Sequence, residues 1–323
     1  MGLQIVLGLI GFGLLYYGAE WLVKGSSSLA RSLGITPIVI GLTVVAFGTS
    51  APELVVSIVS AIKSKGMIAV GNVVGSNICN IALVLGISAL FQPITSHPSV
   101  VKRDIPLMIV IAFVLFGLPA NSQIGRIEGA TLVTGIILYT IMNYYWSCKE
   151  NSNTDSNCAA ALKGEIGNIP SRAKQLMMII LGVTGVVVGA DLVVDSAVII
   201  MTALGMSEKF IGLTIVAFGT SLPELATSVV AAVRKEMDIS IGNLVGSNVF
   251  NLLSVLGLSA CIRPITMPGG FFASGLWIDY LVMIFICALP LFMMRSNYTV
   301  TRRHGGILLL CYVVYLVYLI FRG

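Results

Sequence analysis

Apolar residues run along this chain in long blocks separated by short polar turns. A helix needs about 20 mainly apolar residues to cross the hydrocarbon core of a bilayer. Blocks of that kind fall at 3–23, 36–62, 67–91, 105–119, 127–147, 175–203, 208–233, 238–262, 275–294 and 305–321. The pattern predicts an all-α integral membrane protein of ten transmembrane helices. Its longest polar stretch, Ser147–Lys174, leaves five blocks on either side. The expected organisation is a first half over 1–147, a short cytoplasmic loop over 148–174 and a second half over 175–323.

The two halves repeat. GLTVVAFGTSAPELVVSIV at Gly41–Val59 returns as GLTIVAFGTSLPELATSVV at Gly212–Val230, an offset of 171 residues (212 − 41). The same offset carries GNVVGSNICN at Gly71–Asn80 onto GNLVGSNVFN at Gly242–Asn251. An odd number of crossings per half starts the second copy on the opposite side of the membrane, so the repeats are inverted. Inverted repeats in secondary transporters place the substrate near the bilayer midplane, at discontinuous helices.

Composition narrows the class. With 57% apolar residues and 10% charged ones, the chain is not a soluble globular protein. The first block has no basic leader and no small-residue cleavage site near Glu20–Lys24, so it reads as a retained span. With the N-terminus outside, thirteen lysines and arginines fall in inner loops and six on the outer side, Lys63 and Lys65 among the six. That bias favours an external N-terminus in a multi-pass protein of the inner (plasma) membrane. The net charge of +5 suits basic loops at a membrane surface. It does not suggest nucleic-acid binding, because no basic patch interleaves with aromatics. The six cysteines form no CxxC pair, and neither a disulfide framework nor zinc is indicated. His97 and His304 fall in loops, as solvated histidines.

The chemistry lies in the repeats. Each places a glutamate, Glu53 or Glu224, beside a proline in an apolar block, where a carboxylate costs roughly 2.5–3.5 kcal/mol on an insertion scale. Pro52 offers no N–H to the carbonyl of Gly48, which breaks the helix at the acid. A break at membrane depth is tolerated where freed backbone meets protein, water or an ion. Ser50, Glu53 and Ser57 then share one helix face, and so do Asn72, Ser76 and Asn80 in the next block. Gly71 and Gly75 allow close backbone approach there. The second copy repeats Gly219, Thr220, Ser221, Pro223, Glu224 and Ser228, then Asn243, Ser247 and Asn251. All the donors are hard oxygens, a set for calcium or alkali cations, whereas zinc or copper would call for imidazole or thiolate. Two glutamates would neutralise one calcium, and monovalent ions competing for the same oxygens would give exchange a physical basis. A structural role for the serines and asparagines, as hydrogen bonds between helices, is the alternative.

Glu20 and Asp191 also match at the repeat offset, near the ends of the first and sixth blocks. Glu20 sits four residues before Lys24 and reads as an interfacial ion pair, with a role in ion access as the alternative. Glycines 8, 11, 13 and 18, and 182, 185 and 189, would suit helices that slide past their neighbours.

At GTSxPE and GSNxxN, present twice and in order, the chain resembles the calcium/cation antiporter superfamily, specifically the prokaryotic sodium/calcium exchangers. The resemblance covers essentially the full chain. It implies ten helices in two inverted halves with broken helices at the midplane. The second, third, seventh and eighth would form the ion-binding core, and the first and sixth would move across it. Carried over by motif position, Glu53 and Glu224 would be the central ligands. Thr49, Ser50, Ser76, Asn80, Thr220, Ser221, Ser247 and Asn251 would add oxygens, with the backbone carbonyls of Ala46 and Ala217. The family's usual exchange is three sodium for one calcium. Some relatives carry aspartate where this chain has Asn251, so this site would hold two formal charges, which argues against potassium co-transport.

The expectation is an antiporter, not an enzyme, exporting calcium against inward sodium, with no cofactor and no obligatory protein partner. Proton/calcium exchange is the nearest alternative and a passive cation channel the next. An intramembrane hydrolase built on Ser50 or Ser221 would lack a neighbouring histidine or lysine.

Overall fold

The structure is a computed structural model that describes residues 2–117, 123–152, 169, 171–205, 217–267, 271–272, 274–295 and 297–322. It is almost entirely helical. In chain order the helices are α1 (Gly2–Leu33), α2 (Pro37–Thr49), α3 (Ala51–Ile62), α4 (Gly66–Phe91), α5 (Ile105–Gly117) and α6 (Arg126–Ser152). They continue with α7 (Arg172–Ala203), α8 (Ala217–Gly219), α9 (Leu222–Val233), α10 (Met237–Ile262), α11 (Leu276–Met293) and α12 (Arg302–Arg322). Six of these are long and apolar enough to cross a bilayer, and the bent pair α2–α3 makes a seventh. The first part of the expected block 208–233, with Lys209, and most of the loop 148–174, with Cys158 and Lys163, lie outside the described residues.

One boundary is corrected. The first block was expected to end at 23, but α1 runs ten residues further, through Lys24, Ser26, Ser27, Ser28 and Arg31. Most of the stretch is buried against the rest of the protein, and part of it is held by side-chain bonds. Ser27 Oγ donates to Glu236 at 2.8 Å, Arg31 pairs with Glu236 at 3.6 Å and Ser32 Oγ donates to Gln175 at 3.0 Å. Hydropathy marks the membrane, and this helix extends past it.

α1 packs most extensively against α7, antiparallel, through small residues. A Cβ on Gly18 would meet the backbone of Val186 at 2.7 Å, and one on Gly182 would meet Leu22 at 2.6 Å. The glycines of the two helices are therefore a close seam between two backbones, where any side chain would force them apart.

α4 and α10 are the interior of the bundle: about four-fifths of each span is buried (78% and 83%), against 22% for α1 and 28% for α7. Both begin as ordinary α-helices and widen into π-type turns, at Cys79–Leu85 and Asn251–Val255. Such turns lengthen the ladder locally and often mark functional sites. Two short antiparallel pairs tie the halves at their ends. β1 (Ile94–Thr95) pairs with β4 (Thr299–Val300), and β2 (Gln123–Ile124) with β3 (Ile265–Thr266).

Candidate cation site

The break between α2 and α3 occurs at Ser50, where the backbone leaves the helical region (φ −83°, ψ 11°) and the chain bends by 48°. Ser221 has nearly the same geometry in the second copy (φ −91°, ψ 5°). Proline follows in the first turn after each break, where its missing N–H costs nothing, and the glutamate comes next. Glu53 and Glu224 thus begin helices, within reach of the positive end of the peptide dipoles.

Both acids are wholly buried. No lysine or arginine pairs with either among the described ion pairs. Ser50 Oγ donates to Glu224 Oε1 at 3.0 Å, so the hydroxyl of one copy holds the acid of the other. Asn72 Nδ2 donates to Ser57 Oγ at 2.9 Å and to the carbonyl of Glu53 at 3.1 Å. Asn243 Nδ2 donates to Ser228 Oγ at 3.1 Å, at the matching positions of the second copy.

What remains is a set of oxygens with nothing to bind. Glu53 Oε1 and Oε2, Glu224 Oε2, Asn80 Oδ1, Asn251 Oδ1, Ser221 Oγ and Ser247 Oγ are all buried and without a hydrogen-bond partner. A buried polar atom left unpartnered costs roughly 1–3 kcal/mol, more when charged. Others occur away from the acids, as on Ser26, Ser88 and Tyr280, but the set on these acids, asparagines and serines belongs to the duplicated motifs and leaves its oxygens available to a ligand. A set of oxygens, three of them on carboxylates, suits a cation of the hard class. The cluster has few charges: no group of three or more His, Cys, Asp or Glu gathers among the described residues.

The remaining expected ligands are placed differently. Ser76 Oγ donates to the carbonyl of Asn72 at 2.7 Å, one turn back along its own helix. Thr49 is buried and donates to Asn243 Oδ1 at 3.1 Å, with Ala46 O at 3.4 Å. The carbonyl of Ala46 is not freed by the break, since it also accepts from the Ser50 N–H at 3.0 Å. Thr220 is half-buried and lines a cavity, and Ala217 opens the described part of α8.

That cavity, of about 280 Å³, reaches the broken segments from one side. It is lined by Pro52 and Val55 of α3, by Gly219 and Thr220, and by Asp191, Val194 and Asp195 of α7. Asp191, expected only as the counterpart of Glu20, is exposed there with Asp195 one turn away. Glu20 is engaged instead, with Lys24 at 2.7 Å and with Arg234 after α9. The bundle is uneven about its breaks: Gly48 abuts Val183 and Gly219 abuts Val194, so both lean on α7.

Close backbone approach was expected at Gly71 and Gly75. It is seen at their counterparts: Gly242 lies against Ile38 and Gly41, and Gly246 directly on Leu42 of α2. No described residue comes within 4 Å of a Cβ built at Gly71 or Gly75. Sequence reasoning passed over Asn77 and Asn248, both wholly buried between the halves. The first asparagine of each GSNxxN was the available signal.

Compared with known proteins, the chain matches the model of the family described as sodium/calcium exchanger protein over residues 3–145 and 174–321. It is 38% identical to a putative antiporter, CaxA of Alkalimonas amylolytica, over 97% of each chain. It is 32% identical to the sodium/calcium exchanger MaX1 of Methanosarcina acetivorans, again over 97% of each. Among solved structures it is similar to the sodium-calcium exchanger NCX_Mj, with a TM-score of 0.82 and 32% identity over 98% of both chains.

Proposed function

As the chain belongs to the sodium/calcium exchanger protein family, a family of multi-pass membrane antiporters, we propose that it exchanges calcium for sodium at the Glu53–Glu224 site by alternating access. The observation that carries this reading is the cluster of unpartnered oxygens on Glu53, Asn80, Ser221, Glu224, Ser247 and Asn251. One calcium ion balances the two carboxylates. Sodium ions, with the same preference for oxygen, replace it one by one, and three for one makes the exchange electrogenic. Ser50, Thr49, Ser76, Thr220 and the carbonyls of Ala46 and Ala217 complete the oxygens available as the site changes occupancy. Two carboxylates and two asparagines leave no third charge for potassium.

The arrangement behind this is ten crossings in two inverted halves, 1–147 and 175–323, joined by the loop 148–174, with the N-terminus outside. Its support is that contacts recur at the repeat offset. The Asn72–Ser57 bond has its counterpart in Asn243–Ser228, and the seam of Gly11 on Gly189 has its counterpart in Gly182 on α1 near Gly18. Alternation needs a departure from that symmetry. The lean of both breaks on α7, with a cavity reaching Pro52 and Thr220 beside Asp191, supports a state open at that cavity.

The test is calcium uptake into proteoliposomes under an imposed sodium gradient, set against an equal pH gradient. Uptake that follows sodium and saturates at carrier rates supports the reading. Uptake that follows pH alone replaces sodium by protons, and unsaturable flux at channel rates replaces exchange by permeation.

A further inference from the structure

We infer that Asn77 and Asn248, the first asparagines of the two GSNxxN segments, fix which atom Asn80 and Asn251 present to the cation; the inference rests on the exchange reading above. A side-chain amide carries an acceptor and a donor of similar size, so it can turn either toward a cation, and only its oxygen binds one. A backbone carbonyl removes that ambiguity, because it accepts and never donates.

Asn248 Nδ2 donates to the carbonyl oxygen of Asn77 at 3.4 Å. Its Oδ1 is thereby turned toward Asn80. Facing an acceptor, Asn80 has to offer its amino group, and Asn80 Nδ2 donates to Asn248 Oδ1 at 3.1 Å. The oxygen of Asn80 is left on the far side, buried and unpartnered. The other half follows the same logic. Asn77 Nδ2 donates to the carbonyl of Asn248 at 3.4 Å, and Asn251 Nδ2 donates to Asn77 Oδ1 at 3.2 Å. Asn251 Oδ1 is again the atom left over. The thioether sulfur of Met283, which cannot donate, lies 3.7 Å from Asn77 Nδ2 and holds that amide the same way round.

All four side chains are wholly buried, so water does not compete for these bonds. The backbone of one half thus orients an asparagine of the other, which orients a ligand back in the first. Asn77 and Asn248 are positioning residues: they act on the ion through Asn251 and Asn80. The i, i+3 spacing within each GSNxxN keeps both asparagines in the same wall between the halves.

The experiment is calcium binding to the purified full-length protein in wild type, Asn248→Leu, Asn80→Ala and the double variant, measured by equilibrium dialysis with calcium-45. Asn248→Leu is expected to weaken binding by about 10–100-fold, the range for losing a partner that orients a metal ligand. In the Asn80→Ala background the same change is expected to cost almost nothing, because no amide is left to orient. Asn77→Leu and Asn251→Ala form the matching cycle in the other half and carry the test should Asn248→Leu not insert. Equal losses in both backgrounds, as a merely structural asparagine would give, overturn the inference, and so does wild-type affinity in Asn248→Leu. A wild type that binds no calcium overturns the exchange reading with it, which the wild-type arm shows separately.

Discussion

Ser50 donates its hydroxyl to the carboxylate of Glu224 at 3.0 Å, although the two are 174 residues apart and belong to different copies of one motif. The bond makes the site a joint product of the two copies. It also makes the second acid asymmetric, since Glu224 has one oxygen held and one open whereas both oxygens of Glu53 are open.

Replacing either acid should separate transport from folding. Glu53→Gln and Glu224→Gln each replace a wholly buried acid by an amide of the same shape. Neither acid pairs with a lysine or arginine among the described residues, so each variant is expected to insert normally. Calcium at 100 times its dissociation constant stabilises a binding protein by about 2.7 kcal/mol. Both variants are expected to lose that rise in thermal stability together with exchange, without a lower melting temperature in ion-free buffer.

Ser50 and Ser221 occupy matching positions but differ in the ion-free protein. Ser50→Ala removes a hydrogen bond that the ion-free protein already makes to Glu224, so it is expected to lower ion-free stability by about 1.5–3 kcal/mol, read as a lower melting temperature. Among the described residues, Ser221 Oγ meets no nitrogen or oxygen partner and has only the weakly bonding Cys79 thiol beside it. Ser221→Ala is therefore expected to leave ion-free stability unchanged and to weaken calcium binding alone, as binding and melting curves in parallel would reveal.

Gly246 should tolerate no side chain. A Cβ there would lie 2.6 Å from both the Cα and the carbonyl oxygen of Leu42, and backbone atoms cannot swing aside as a side-chain tip can. Gly246→Ala is expected to cost about 1–3 kcal/mol or more, and to lower expression in the membrane and melting temperature together.

Asp191 and Asp195 should act at a distance. Exposed carboxylates lining the cavity raise the local concentration of cations, an effect screened over about 8–10 Å at physiological salt. Asp191→Asn with Asp195→Asn is expected to slow calcium uptake several-fold at low ionic strength and to match the wild type in high salt with an impermeant cation. A loss that persists in high salt would place these residues in the binding site itself.

Much of this was legible in the sequence because the residues involved have few alternative explanations. A glutamate beside a proline in an apolar block is costly, and finding it twice in register marks a site. The helix breaks at Ser50 and Ser221 follow from the same prolines. The end of α1 was not legible, because the polar run from Ser26 to Ser32 looks like a loop until Glu236 is known to meet Ser27 and Gln175 to meet Ser32. The π-type turns at Asn80 and Asn251 leave no trace in hydropathy. Thr49 could be seen to lie near the acids, but its bond to Asn243, 194 residues away, depends on how the halves meet. Asn77 was hidden for the same reason: its role depends on which atom of Asn248 faces it.

The central claim is that one divalent cation sits between Glu53 and Glu224, and anomalous diffraction from crystals soaked in calcium or strontium tests it most directly. The expected result is a single strong peak within coordinating distance of both carboxylates and of Asn80 Oδ1 or Asn251 Oδ1. A peak confined to Asp191 and Asp195, with Glu53 and Glu224 left bare, would contradict it.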